Sequence, residues 1–269
     1  MTASAVRAAA VAAALAVAWT SGASCEPATY RFAATWAGLP AADIYLTLDD
    51  GERSYKASID IRSVGMVKLL SKFAAHAESA GSFLDGIRAK PNAYDADYKL
   101  RKKRNHVALQ FAAAADRWLV TRGPADTSNK PLPPAEMRRD TIDPLAALMA
   151  VRTWARQGPE VRGKPFHIPV FDGKRRFDVD GKLVGIETVQ IGGAAVRAMH
   201  VSVVLLPIAG FKTAAEEGED IETDPRPLDL ILSDDERLVP LKISVSAFLL
   251  PAETQIIATC TTPCPAPPF

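Results

Sequence analysis

The sequence is short of the residues on which most site chemistry depends. Its 269 residues include three cysteines and four histidines. The histidines are His76, His106, His167 and His200, and none stands at i, i+4 with another. There is no His-Glu-x-x-His, so a helix-borne zinc pair is excluded. His76-Ala77-Glu78 imitates half of a zinc deaminase signature, but no Pro-Cys-x-x-Cys follows. Cys260-x-x-x-Cys264 has no third or fourth ligand nearby, which makes a poor metal site. A Gly-x-Ser-x-Gly elbow and a phosphate-binding glycine loop are both missing. Glu216 to Asp224 is acidic without the Asp-x-Asp-x-Asp-Gly spacing of a calcium loop. No catalytic residue, metal or cofactor is therefore assigned. A hydrolase acting on a cell-wall or polysaccharide substrate, which needs two acids across a cleft, stays as a minor alternative, because spacing in sequence does not test it.

Excess charge is lacking too. The net charge is +1 at pH 7, whereas nucleic-acid binding draws on surplus Lys and Arg. Nucleic acid is not an expected partner. No segment of the mature chain offers the roughly 20 apolar residues of a transmembrane span.

What is present begins with an export signal. Arg7 is the one charge among the first 25 residues, Ala8 to Trp19 is unbroken and apolar, and Ser21-Gly22-Ala23-Ser24 follows. Charge, apolar run and small residues are the three parts of a secretory signal, read here as residues 1–24. The expected location is the periplasm, where disulfides persist. Cys25, Cys260 and Cys264 are the disulfide candidates. Three is odd, so either the last two pair locally or Cys25 bridges to one of them. Lipid anchoring through Cys25 is the less favoured reading, because Gly22 stands where a lipoprotein signal normally has Leu, Val or Ile.

The body of the chain alternates with period two. Tyr30, Phe32, Ala34 and Trp36 form one such series, and Ile44, Leu46 and Leu48 another. Tyr55 to Ile61, Tyr94 to Leu100 and Val107 to Phe111 continue it. Asp50-Gly51, Asp172-Gly173, Asp180-Gly181 and Gly192-Gly193 punctuate the runs as hairpin turns. The pattern predicts about a dozen antiparallel strands, too many for one flat sheet, so the sheet must curl, close or split. Val64 to Phe73 breaks the alternation with helical spacing at Met66, Val67, Leu69, Leu70 and Phe73. It is read as a short helix plugging an edge, or as a flap. Gly123 to Arg139, with four prolines, is read as a long connector.

One segment carries helix signals at both ends. Asp143 suits an N-cap, Pro144 the first helical position, and Gly158 the residue past the end. The predicted helix is 143–157. At 100° per residue, Leu145, Leu148, Met149, Val151 and Ala155 form an apolar stripe that contains Arg152. An arginine there either pairs internally, snorkels out along its stem, or grips an acidic ligand headgroup. Arg152, Leu148, Met149 and Trp36 are the candidate ligand-binding residues. Trp154, on the other side, is either a second packing surface or exposed. Arg101, Lys102, Lys103 and Arg104 form a basic hairpin tip, a solvated turn or a docking site for anionic lipid or an acidic partner.

Several short motifs occur in a recognisable order: Tyr30-x-Phe32, Trp36-Ala37-Gly38-Leu39-Pro40-Ala41-Ala42, Gly86-Ile87, Pro91-x-x-Tyr94, Asp143-Pro144-Leu145-Ala146-Ala147-Leu148, Phe171-Asp172-Gly173-Lys174-x-Arg176 and Leu238-Val239-Pro240-Leu241-Lys242-Ile243. Over roughly residues 28–250 this resembles the bacterial envelope family catalogued as domain of unknown function 3108. The resemblance implies an exported, mostly β protein. It is similar in architecture to the curved, unclosed barrels or β-spirals of lipoprotein carriers, with a helix on the concave side. It implies no established reaction and no catalytic residues.

The expected fold is all-β with one main helix, a curled antiparallel sheet or half-open barrel. The expected organisation is a β-rich domain over 25–250 followed by a Pro-rich, Cys-containing tail over 251–269. The leading function is non-enzymatic: an envelope protein binding a lipid-like or peptide ligand in the concavity, or supporting envelope integrity. The alternative is an interaction module with a filled core and an envelope protein as partner.

Overall fold

A computed structural model describes residues 27–51, 53–84, 88–114, 117–127, 131–211, 224–246 and 253–258. The first half of the chain supplies β1 (Ala28–Trp36), β2 (Leu39–Asp50), β3 (Ser54–Ser63), α1 (Gly65–Ser71), β4 (Ala74–Phe83), β5 (Ala89–Leu100), β6 (Lys103–Ala114) and β7 (Arg117–Arg122). Then come α2 (Pro144–Ala155), β8 (Phe166–Phe171), β9 (Arg176–Ile191), β10 (Ala194–Ala209), β11 (Arg226–Ser233), β12 (Pro240–Ser246) and β13 (Glu253–Ala258).

All the strands join one antiparallel sheet in the order β7-β6-β5-β4-β3-β2-β1-β13-β12-β11-β10-β9-β8. The chain therefore enters in the middle of the sheet and walks outward to the β7 edge. It crosses through α2 to the opposite edge, β8, and walks back until β13 pairs with β1. The register of that last pair runs from Phe32 opposite Ala258 to Trp36 opposite Thr254. The sheet is curled and unclosed, one of the three outcomes that the strand count allowed.

The two edge strands do not pair with each other. The connector between β7 and α2 stitches them instead. Arg139 bridges Leu119 of β7, and Ile142 bridges Val170 of β8. Asp140 N–H donates to Trp118 O, Ile142 N–H to Pro169 O, and Phe171 N–H to Ile142 O. Trp118 Nε1–H reaches Thr141 O at 2.7 Å. Backbone groups that an open edge would leave to water or to another chain are satisfied here.

The inward side chains along the first strands are the apolar members of each alternating series: Tyr30 and Phe32, Ile44 and Leu46, Tyr55 and Ala57, Tyr94 and Ala96. β4 differs, because Ala77, Ser79 and Gly81 are small. A Cβ on Gly81 would stand 2.4 Å from Lys90 O and 2.7 Å from the Tyr55 hydroxyl oxygen, so only glycine fits. This shallow strip receives α2, which packs on β3, β4, β5 and β8.

The start of the helix matches its sequence signals, while its end comes at Ala155, short of the expected 157, and Gly158 opens a 3-10 turn. Asp143 Oδ1 accepts N–H bonds from Leu145 and Ala146, both at 2.9 Å. Nine of its 12 residues are buried, among them Trp154 and Ala146 as well as Met149 and Val151. The single-stripe expectation is thus too narrow, because this helix lies inside the curl and meets walls on both sides. Leu148, one of the stripe residues, is only half-buried. Trp154 is the second packing surface, edge-on to Phe166 with ring centroids 4.8 Å apart.

Three further expectations are corrected. Asp180-Gly181 is not a turn: β9 runs straight through it, with Gly181 opposite Phe166. The glycine is there because a Cβ would meet the Phe166 ring at 2.3 Å. The segment after residue 250 is not all tail, since 253–258 forms β13 between β1 and β12. Without that strand, two mid-sheet ladders would lie open. The Pro-rich connector has structure of its own, a 3-10 turn at Ala135–Arg138 followed by the stitched seam.

Candidate functional site

The most developed polar constellation lies at the C-terminal end of α2. Arg152, near the last turn of the helix, has only 3% of its surface exposed. Nη1 donates to Asp50 Oδ1 at 2.8 Å, and Nε donates to Leu238 O at 3.1 Å. Nη2 donates to Arg237 O, while Met149 Sδ lies 3.3 Å from Nη1. The other Asp50 oxygen accepts from Arg156 Nη2 at 3.0 Å. One carboxylate at the end of β2 thus takes two arginines one helical turn apart. The same guanidinium ties α2 to the turn between β11 and β12.

A cleft of about 400 Å³ opens beside this cluster. Tyr30 and Leu48 give it an apolar floor, and Asp50, Arg152, Arg156 and Glu236 give it a charged rim. Burial raises the Tyr30 hydroxyl above its ordinary pKa, partly offset by the Arg237 and Arg152 charges, so it stays a neutral hydrogen-bonding group. The cleft joins an apolar base to a fork of cations whose innermost member is already engaged by protein atoms.

A second network sits at the N-terminal end of α2. Asp143 is fully buried, and its Oδ2 accepts from Ser79 Oγ at 2.8 Å. The Tyr55 hydroxyl lies 3.4 Å from the same Ser79 oxygen. Burial pushes the Asp143 carboxyl up to about 7, against the lowering pull of the Ala146 and Leu145 N–H groups and the Ser79 hydroxyl. The network holds the helix to β4, and its atoms are closed to solvent.

The four histidines share an arrangement that was not foreseen from sequence. Each lies on the sheet between two carboxylates. His76 meets Asp60 at 2.9 Å and Glu78 at 3.0 Å, and His106 meets Asp97 at 3.0 Å and Asp95 at 3.5 Å. His167 sits beside Asp180 and Asp178, and His200 beside Asp229 and Glu187. For His76, two acid hydrogen bonds outweigh the lowering effect of burial, so its pKa is raised. Register and the two-residue repeat explain the pattern, because outward positions stand side by side across neighbouring strands, as Asp60 and His76 do, and two along within one, as His76 and Glu78 do. Among the described residues no group of three or more His, Cys, Asp or Glu is placed to hold a metal ion.

The candidate ligand-binding set does not converge. Met149 is buried and Leu148 half-buried on α2 with Arg152, but Trp36 is at the far end of β1, 41% exposed. Ala28 and Tyr30, at the other end of that strand, are the β1 residues beside Arg152. Asp50 is the residue that sequence reasoning missed at this site. It read as the first half of a hairpin turn, and nothing in its neighbourhood signals a partner 102 residues away. Arg101, Lys102, Lys103 and Arg104 are all exposed around the β5–β6 turn. Cys25, Cys260 and Cys264, the signal segment 1–24 and Glu216 to Glu222 lie outside the described residues. Among those described, no helix is long and apolar enough to cross a membrane.

Comparison with known proteins agrees with the architecture. The family described as "Protein of unknown function (DUF3108)" matches residues 31–249. No curated protein matches. A similar solved structure is that of a β-barrel-like protein of domain of unknown function DUF1849 from Brucella abortus. It is 10% identical, with a TM-score of 0.50, over 86% of this chain and 94% of that one. At that identity the likeness is one of fold.

Proposed function

The chain belongs to the DUF3108 family, and from that premise we infer an exported, periplasmic, non-enzymatic protein that serves the cell envelope as an interaction module with a filled core. The observation that carries this reading is the position of α2. A carrier's concavity must admit its cargo, and here the protein's own helix occupies that space with nine buried residues. The hydrophobic core is continuous from the first strands through α2 to the last. Binding would then use the outer surfaces, and the interior would supply rigidity.

The test is native mass spectrometry of the chain recovered from an exporting host, together with photo-crosslinking in the same cells. The expected result is a protein without a lipid adduct that crosslinks to one discrete envelope protein. A copurifying lipid or peptide would overturn the filled-core reading. The same spectrum reads cleavage after residue 24, lipidation of Cys25 and the disulfide mass. Retention of residues 1–24 in the cytoplasm would overturn the export reading separately.

One observation favours a second reading, an amphipathic ligand, lipid-like or peptide, entered by one end only. It is the cleft of about 400 Å³ beside Arg152 and Arg156, within the range of small-molecule sites. Arg152→Leu separates the two: loss of stability alone follows from the ion pair, and loss of a bound ligand with the fold intact follows from a site.

A further inference from the structure

α1 is held in place in an unusual way. A short helix on a protein surface normally buries one apolar face. None of α1's seven residues is buried. Its main chain makes the attachments instead. Val64 N–H donates to Ala41 O, Ser63 N–H to Phe73 O, and Arg101 N–H to Ser71 O. Arg101 Nε donates to Leu70 O at 3.1 Å, which clamps the helix to the β5–β6 turn. Gly65 takes a positive φ of 54° where a Cβ would stand 2.9 Å from Pro40 O, so the helix begins tight against β2.

With the backbone so held, Val67 is half-buried while the larger apolar side chains stand out from the fold. Met66, Leu69 and Leu70 are 65%, 78% and 68% exposed. The antiparallel order brings the β1–β2 turn, α1 and the β5–β6 turn to one end of the sheet. Leu39 and Leu100, also exposed, therefore share that end, as does Trp36. Large exposed apolar side chains gathered at one end of a fold mark a place that something covers.

The charges around it indicate what. Lys68 in α1, Lys72 just past its end and Arg101, Lys102, Lys103 and Arg104 around the β5–β6 turn are all exposed. No acid occurs in 64–73 or 98–104, although the whole chain is nearly neutral at +1. Apolar side chains at the centre with long cationic ones around them match a bilayer interface. There Leu and Met enter the acyl boundary, Lys and Arg reach the phosphates, and Trp sits at headgroup depth. A protein groove would be expected to pair some of these cations with carboxylates across the contact.

We propose that α1 and the 99–104 turn form a docking surface for an anionic phospholipid bilayer. The proposal draws on the envelope reading only for the presence of a bilayer within reach, and its test does not depend on export. The chain as recovered from its host is sedimented with vesicles of phosphatidylethanolamine plus phosphatidylglycerol, and with vesicles of phosphatidylcholine alone. The expected result is binding to the anionic vesicles, weakened by salt, and little to the zwitterionic ones. Lys102→Glu/Lys103→Glu and Leu69→Glu/Leu70→Glu, with the same N-terminus, should each lower partitioning at least about tenfold. The mutated side chains are exposed, so thermal unfolding should be unchanged, which separates lost docking from lost fold. Absence of binding, equal binding to both vesicle types, or unchanged binding by both variants overturns the proposal. So does a dimer that Leu69→Glu/Leu70→Glu converts to a monomer, because the surface would then belong to a second copy.

Discussion

The two helices carry similar apolar side chains to opposite ends. α2 has an Asp143 cap, Pro144 at its start and nine buried residues. α1 has no side-chain cap and no buried residue, though Met66, Leu69 and Leu70 are as apolar as Met149 and Leu145. The difference is one of position in the topology. α2 is the crossover between the two edges of the curled sheet, so it passes through the interior and packs on β3, β4, β5 and β8. α1 joins two neighbouring strands at the rim, and there none of its residues is buried by the rest of the described chain. An amphipathic segment is therefore not by itself evidence of core, and its destination depends on what its connection spans.

Substitutions can test that contrast, beginning with the largest effect. Trp154→Ala removes a ring packed on Phe166 in the interior and should cost about 3–5 kcal/mol in urea unfolding. A loss under about 1 kcal/mol would mean that α2 moves free of the sheet.

Asp50→Asn comes next. It leaves the Arg152 guanidinium, whose side chain is 4% exposed, with two carbonyls and no carboxylate. Because carbonyl partners remain, the expected loss is about 2 kcal/mol, below that of an orphaned buried charge. Arg156→Ala removes the outer partner of the same carboxylate, where solvent screens the pair, and should cost no more than about 0.5 kcal/mol.

Asp143 sharpens the comparison through pH. Its carboxyl titrates near 7 in the folded chain and at 3.8 ordinarily, so between those values the folded state holds a proton that the unfolded state releases. Stability from this group is present below 3.8 and declines as pH rises to about 7. His76 works in the same direction. Its raised pKa favours the folded state at low pH, and that gain disappears as pH climbs through the folded value. Urea midpoints of wild type and Asp143→Asn across this range isolate the aspartate, because the His76 contribution cancels in the difference. Wild type should lose stability relative to the variant as pH rises, and parallel curves would mean that the carboxylate is already charged at low pH.

The smallest effect is expected in α1. Leu69→Ala should change stability by less than about 0.5 kcal/mol, since the side chain touches little of the fold. A loss near 2 kcal/mol would show that α1 is packed after all, and would put its surface role in doubt.

Several of these contacts were readable early and others were not. Period-two alternation at Ile44, Leu46 and Leu48 is a local property, and the strand it predicts is there. So is the capped helix, because Asp143 bonds to residues two and three along. Asp180-Gly181 has the local form of a turn, yet the glycine answers to the Phe166 ring on the next strand. The candidate site was only half legible. A cation on an apolar stripe is visible at Arg152, but its partner Asp50 is not, because their approach depends on how β2 and α2 meet inside the curl.

By itself, the sequence determined most of the strands, the start of α2 and the short choice of fates for Arg152: an internal partner, a head group reaching out to water or an acidic ligand. Those follow from periodicity, capping and the cost of a buried charge, all set within a few residues. Only the tertiary structure decided which helix is core and which is surface, where the edges are stitched, and that 253–258 closes the gap beside β1. The physical reason is that burial and pairing are relations between segments distant in the chain. No local pattern records which wall a side chain will meet.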